Sequence, residues 1–126
     1  MRRFHILFSV CFINVFVLVS CSRYADKVEG TYAGRLTIND SVVSSNANIK
    51  ISEVSNKIVS VESSFFDTYE LEIDKQRYFN SVSYFHQDSS GIYLEIGETA
   101  TGFFLSFVHL DSLSNSYVFI GESTWN

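Results

Sequence analysis

Apolar and polar residues alternate along most of the chain. Within 30–38, Tyr32, Gly34, Leu36 and Ile38 alternate with Thr31, Ala33, Arg35 and Thr37. The same period of two recurs at Ala47, Ile49 and Ile51, at Val59 and Val61, and at Tyr69, Leu71 and Ile73, each set interleaved with polar residues. Successive side chains of a strand point to opposite faces, so these stretches predict strands with one buried and one wet face. Further on, Ile92, Leu94 and Ile96 oppose Tyr93 and Glu95, whereas 80–87 is aromatic-rich with ambiguous faces. Segments 103–110 and 117–122 are apolar on both faces. Asn39-Asp40-Ser41, Asp88-Ser89-Ser90-Gly91 and 111–115 carry turn chemistry.

The pattern predicts an all-β domain of eight short strands joined by short loops. Such loops favour sequential antiparallel neighbours, and without a crossover helix a parallel sheet is excluded. An eight-stranded antiparallel up-and-down barrel is the expected architecture, with a two-sheet β-sandwich as the alternative. The barrel is preferred because nothing protects a sheet edge: the chain has no proline, and the last strand has no inward charge.

The opening of the chain follows a different rule. Arg2 and Arg3 precede sixteen residues, 4–19, without an acidic or basic side chain. A helix of that length spans about 24 Å, short of a hydrocarbon core of about 30 Å. A helical, cleaved secretory signal is expected rather than a membrane span. Leu18-Val19-Ser20-Cys21 stands at its end and resembles the lipobox of bacterial lipoproteins. That resemblance implies cleavage before Cys21, a diacylglycerol thioether on its sulfur and acylation of the new amine. Ser22, with no Asp there, resembles lipoproteins sorted to the outer membrane, which implies an anchor facing the periplasm. The expected division is a signal peptide at 1–20, the lipidated Cys21 with a short tether at 21–29, and a barrel domain at 30–126.

Charge and composition narrow the partners. The chain carries 9 Lys and Arg against 14 Asp and Glu, and losing Arg2 and Arg3 with the leader moves the net charge from −5 to −7. Nucleic acid is excluded as a partner, because its binding depends on cations that neutralise phosphates. Cys11 lies in the leader and Cys21 at the anchor, so the domain has neither a disulfide nor a free thiol. Gly30-Thr31-Tyr32 opens the first strand and Tyr117-Val118-Phe119-Ile120-Gly121 closes the last. This arrangement resembles the small lipocalin-like, or calycin-like, lipoproteins of Gram-negative bacteria, whose first strand carries a Gly-x-aromatic signature in an eight-stranded barrel. In physical terms Gly30 allows a tight bend at the barrel floor, and the Tyr32 ring plugs that end.

No catalytic motif is present: there is no Gly-x-Ser-x-Gly elbow, His-Glu-x-x-His or phosphate loop. His86 reads as a surface residue at a strand end, and His109 as a half-buried residue with a local hydrogen bond. Glu70, Glu72 and Asp74 share one strand face, nearly 7 Å apart from one to the next. They read as a solvated face rather than a calcium site. The expectation is a non-enzymatic protein with neither metal nor cofactor, held to the membrane by acyl chains. Tyr84, Tyr93, Phe103, Phe107 and Tyr117 are the candidate ligand contacts for a small apolar molecule or lipid inside the barrel. The alternative is a barrel filled by its own rings that docks a protein of the envelope.

Overall fold

A computed structural model describes residues 23–79 and 81–124. The expected helical signal segment and Cys21 lie outside the described residues. The described chain forms nine strands: β1 Gly30–Ile38, β2 Ser41–Ser55, β3 Ile58–Ser63, β4 Phe66–Glu72, β5 Asp74–Tyr78, β6 Ser81–Gln87, β7 Tyr93–Glu98, β8 Gly102–Leu110 and β9 Ser116–Thr124. All belong to one antiparallel sheet of order β4-β3-β2-β1-β9-β8-β7-β6-β5. A single sheet whose first and last strands pair is a nearly closed barrel, not a two-sheet sandwich.

The count of nine replaces the expected eight. The extra strand, β5, has the sequence DKQRY, which shows no apolar alternation. β4 and β5 run in the same direction and are separated by Ile73 alone. β4 pairs with β3, and β5 pairs with β6. One run of chain thus changes partner at Ile73, whose side chain is fully buried. The two ends of the sheet therefore meet end to end instead of side by side. A hydrogen bond between His86 Nδ1 and the Glu72 carbonyl (2.7 Å) ties the seam where no ladder runs, while the Ile73 amide, donating to the Lys57 carbonyl (2.7 Å), prolongs the β3 side up to it. The other ring nitrogen of His86 meets Asp88 Oδ2 at 2.8 Å. His86 is thus a seam residue.

Closure between β1 and β9 depends on two glycines. Gly34 and Gly121 are cross-strand partners. A Cβ on Gly34 would stand 2.1 Å from the Ile120 carbonyl oxygen, and one on Gly121 2.6 Å from the Ala33 oxygen. Neither strand could approach the other this closely with a side chain in place.

Inward positions fill the interior: Tyr32, Leu36, Ile49, Ile51, Ile73, Tyr84, Leu94, Ile96, Leu105, Phe107 and Phe119 are at most 1% exposed. The floor is sealed by part of the segment read as a tether. Ala25 and Val28 are fully buried beside the short 3-10 turn Ala25–Lys27. The amides of Tyr24 and Ala25 both donate to the Asn56 carbonyl, and the Tyr32 hydroxyl donates to the Val28 carbonyl at 2.7 Å. Burial pushes the Tyr32 phenol well above its ordinary range. Apolar residues three apart, at 25 and 28, give this short polar segment something to bury, so it folds as a plug.

Candidate functional site

Four of the five ring residues expected to meet a ligand face the interior side of the wall, and they are divided between its two ends. Tyr84 sits low, its ring centroid 6.0 Å from Tyr24 of the floor plug. Phe103 also belongs to the buried core. Phe107 and Tyr117 stand at the opposite end. Tyr93 is the exception: it lies on the outer face of β7, with its hydroxyl hydrogen-bonded to Glu95. The interior does not gather the five into one site.

The upper end holds a closed box around His109. This residue is 0% exposed, not half-buried as its sequence suggests, because the inward row of β8 continues through Phe107 to position 109. Its imidazole lies parallel to Tyr117, 4.5 Å between centroids and 3° between planes. Phe66, Tyr69 and Phe107 surround it at 4.7, 4.9 and 5.0 Å. The Tyr69 hydroxyl bonds to Nδ1 at 3.1 Å across 40 residues of sequence, while Nε2 has no hydrogen-bond partner. Burial pushes the His109 pKa down, with Asp111 opposing the shift, so the neutral ring is favoured. The rings alongside offer π faces, which are weak acceptors for an N–H. Above the box, Asp111 accepts from the amides of Leu113 and Asn115, the Asn115 side chain and the Tyr117 hydroxyl. These bonds, led by Asn115, hold its carboxyl below the usual range. Asn39 then bonds Asn115 at 2.9 Å and ties the β1–β2 turn to the β8–β9 turn.

The outer wall carries the more accessible feature. A groove of about 390 Å³ runs along β5 to β8, walled by Phe85, Tyr93 and Phe104 and bordered by Glu95, Glu98 and Gln76. Local register explains its shape. Gly97 is opposite Ser83 on β6 and Phe104 on β8. With no side chain at 97, the Phe104 ring lies across the strand, where a Cβ would stand 2.1 Å from its Cε1. Phe85 and Glu95 are direct cross-strand partners. The hydrogen bond to Glu95 and burial together push the Tyr93 phenol up to about 12, so it remains a donor throughout the physiological range.

Two further concavities are also formed by outward residues. One, again about 390 Å³, is more open, has no aromatic lining and includes both Lys50 and Glu62. The other, about 150 Å³, lies over Arg35, Thr37, Val118 and Ile120. Glu70, Glu72 and Asp74 are exposed. Among the described residues no three His, Cys, Asp or Glu side chains come together as a metal site, and no helix is long and apolar enough to cross a membrane. Compared with protein-family models, with curated proteins and with solved structures, the chain matches none at a significant level.

Proposed function

We propose that the protein is a lipid-anchored, non-enzymatic barrel of the bacterial envelope that docks a partner protein through its outer wall. The observation that carries this reading is the filling of the interior: Tyr32, Tyr84, Phe107 and Phe119 are each at most 1% exposed. Space of ligand size, about 390 Å³, is available outside, along β5 to β8. The reading keeps the chain with the lipocalin-like lipoproteins that Gly30-Thr31-Tyr32 resembles, but moves the binding surface from the barrel mouth to its wall.

The anchor fits this geometry. Arg23 pairs with Glu53 at 3.1 Å, at the low end of β2, so the chain leaves the barrel beside its floor. Cys21 is two residues earlier, a reach of roughly 7 Å. Acyl chains there hold the floor toward the bilayer and leave the wall and the His109 end in the aqueous phase.

Two measurements test the proposal. Mass spectrometry of the mature product is expected to show residue 21 acylated; a free thiol there removes the anchor. A photoreactive residue replacing Ser83 is expected to crosslink one defined envelope protein in intact cells, while the same residue at Asn48 does not. Uptake of an apolar fluorescent probe into the barrel, with no crosslink from position 83, would transfer the function back to the interior.

A further inference from the structure

We infer that the β5–β8 groove recognises arginine side chains on a basic segment of the docking partner. This rests on the outer-wall docking reading above and specifies its chemistry. Three rings, Phe85, Tyr93 and Phe104, and the Glu95 side chain line the groove, Glu98 stands at its end, and none of its lining residues is Lys, Arg or His. The comparable concavity on the opposite wall has Lys50 facing Glu62 and no ring. Local composition therefore gives the first groove a single sign of charge, set on a protein whose described residues are also acidic overall.

Arginine fits this combination better than other groups. Its planar guanidinium stacks on aromatic faces and pairs with a carboxylate through two parallel N–H donors. Glu95 is prepared for that role. It is half-buried, and the Tyr93 hydroxyl donates to one of its oxygens, Oε2, which limits its rotamers before any partner arrives. Phe104 is held flat across Gly97 by the missing Cβ, so one wall of the slot is in place in advance. A volume of about 390 Å³ accommodates one or two such side chains with the backbone passing over them. An anionic ligand would meet Glu95 without any cation among the lining residues to receive it.

The test uses the full-length protein in zwitterionic nanodiscs, titrated with tetra-arginine amide and followed by amide NMR shifts. Expected are saturating shifts at Ser83, Phe85, Glu95 and Gly97 that weaken as salt rises. Glu95→Gln is expected to lose at least tenfold in affinity, and Glu62→Gln on the opposite wall less than twofold. Ser83→Lys, which places a cation in the groove from within, is expected to abolish the shifts. Thermal unfolding of each variant verifies that it is folded. Equal affinity for wild type and Glu95→Gln, or shifts spread over both walls, overturns the inference, as does stronger binding of a neutral oligosaccharide. If position 83 crosslinks a partner but tetra-arginine amide leaves the groove unmoved, docking survives and arginine recognition falls. If neither occurs, both fall.

Discussion

The inner and outer faces of β6, β7 and β8 are both rich in aromatic rings, yet the rings do different work. Inside, Tyr84 and Phe107 are at most 1% exposed and belong to the continuous core. Outside, Phe85, Tyr93 and Phe104 are half-buried and border an open groove. The inner rings are surrounded by apolar side chains, while the outer ones alternate with Ser83, Glu95 and Gln87. Ring content alone does not mark a binding site; the polar groups that share the face do.

Replacing one ring on each face gives the largest expected effect. Phe107→Ala removes a fully buried ring from among Phe66, Tyr69 and His109 and is expected to cost about 3–5 kcal/mol in denaturant unfolding. Phe104→Ala is expected to cost about 1 kcal/mol, since its ring is half in water and its loss uncovers only the Gly97 backbone. Equal losses would make the outer rings part of the core and leave the groove no independent role.

The contrast also explains which parts of the fold were legible in the sequence. Strands with one wet face announce themselves: Tyr32, Leu36, Ala47, Ile49, Ile51, Val59, Val61, Leu71 and Ile73 all point inward, as their period of two requires. Asn39 and Asp40, at φ 50° and 67°, form the expected β1–β2 turn. On β8 both faces are apolar and alternation carries no sign; on β7 alternation already set Tyr93 beside Glu95 and opposite Leu94 and Ile96, and grouping Tyr93 with Phe107 overrode that pattern. β5 was invisible for the converse reason. Its place is determined by where the barrel seam falls, a property of the closed sheet and not of five polar residues. The His109 box depended on Phe66, Tyr69 and Tyr117 arriving from distant strands, and no local spacing announces that.

The next effect is pH-dependent and separates the box from the groove. Burial lowers the His109 pKa, so between its folded value and the ordinary value of about 6.5 the unfolded chain binds more protons. Stability from this source is complete above about pH 6.5 and falls as pH drops through that window. His109→Phe is expected to remove this slope. At pH 7.5 it is expected to cost about 1 kcal/mol, because relief of the unpartnered Nε2 is offset by overpacking from the larger ring while the Tyr69 hydroxyl also loses its bond to Nδ1. Denaturant midpoints from pH 7.5 to 5 would measure both. An unchanged slope in the variant would assign the acid response to other groups. Asp88 and Asp111, both shifted down, lose their contribution only in the lower range where carboxylates protonate.

The smallest expected effect belongs to the groove and leaves the fold intact. Tyr93 titrates at about 12 because its hydroxyl donates to Glu95 and ionisation would place two negative charges together. A raised phenol pKa contributes stability that is fully present below the ordinary value of about 10 and is lost as pH rises through 12. Glu95→Gln removes the charge while keeping a hydrogen-bond acceptor and the ring's burial, so the Tyr93 ring-carbon shift is expected to titrate below its wild-type value but not to fall to that of a free phenol. The unfolding midpoint at neutral pH should barely move, since glutamine keeps the half-buried acceptor that the Tyr93 hydroxyl needs. A Tyr93 titration unchanged by Glu95→Gln would mean that the ring's burial alone raises it. Glu95 would then be rotationally free, and the groove would offer an arginine a mobile carboxylate instead of a positioned one.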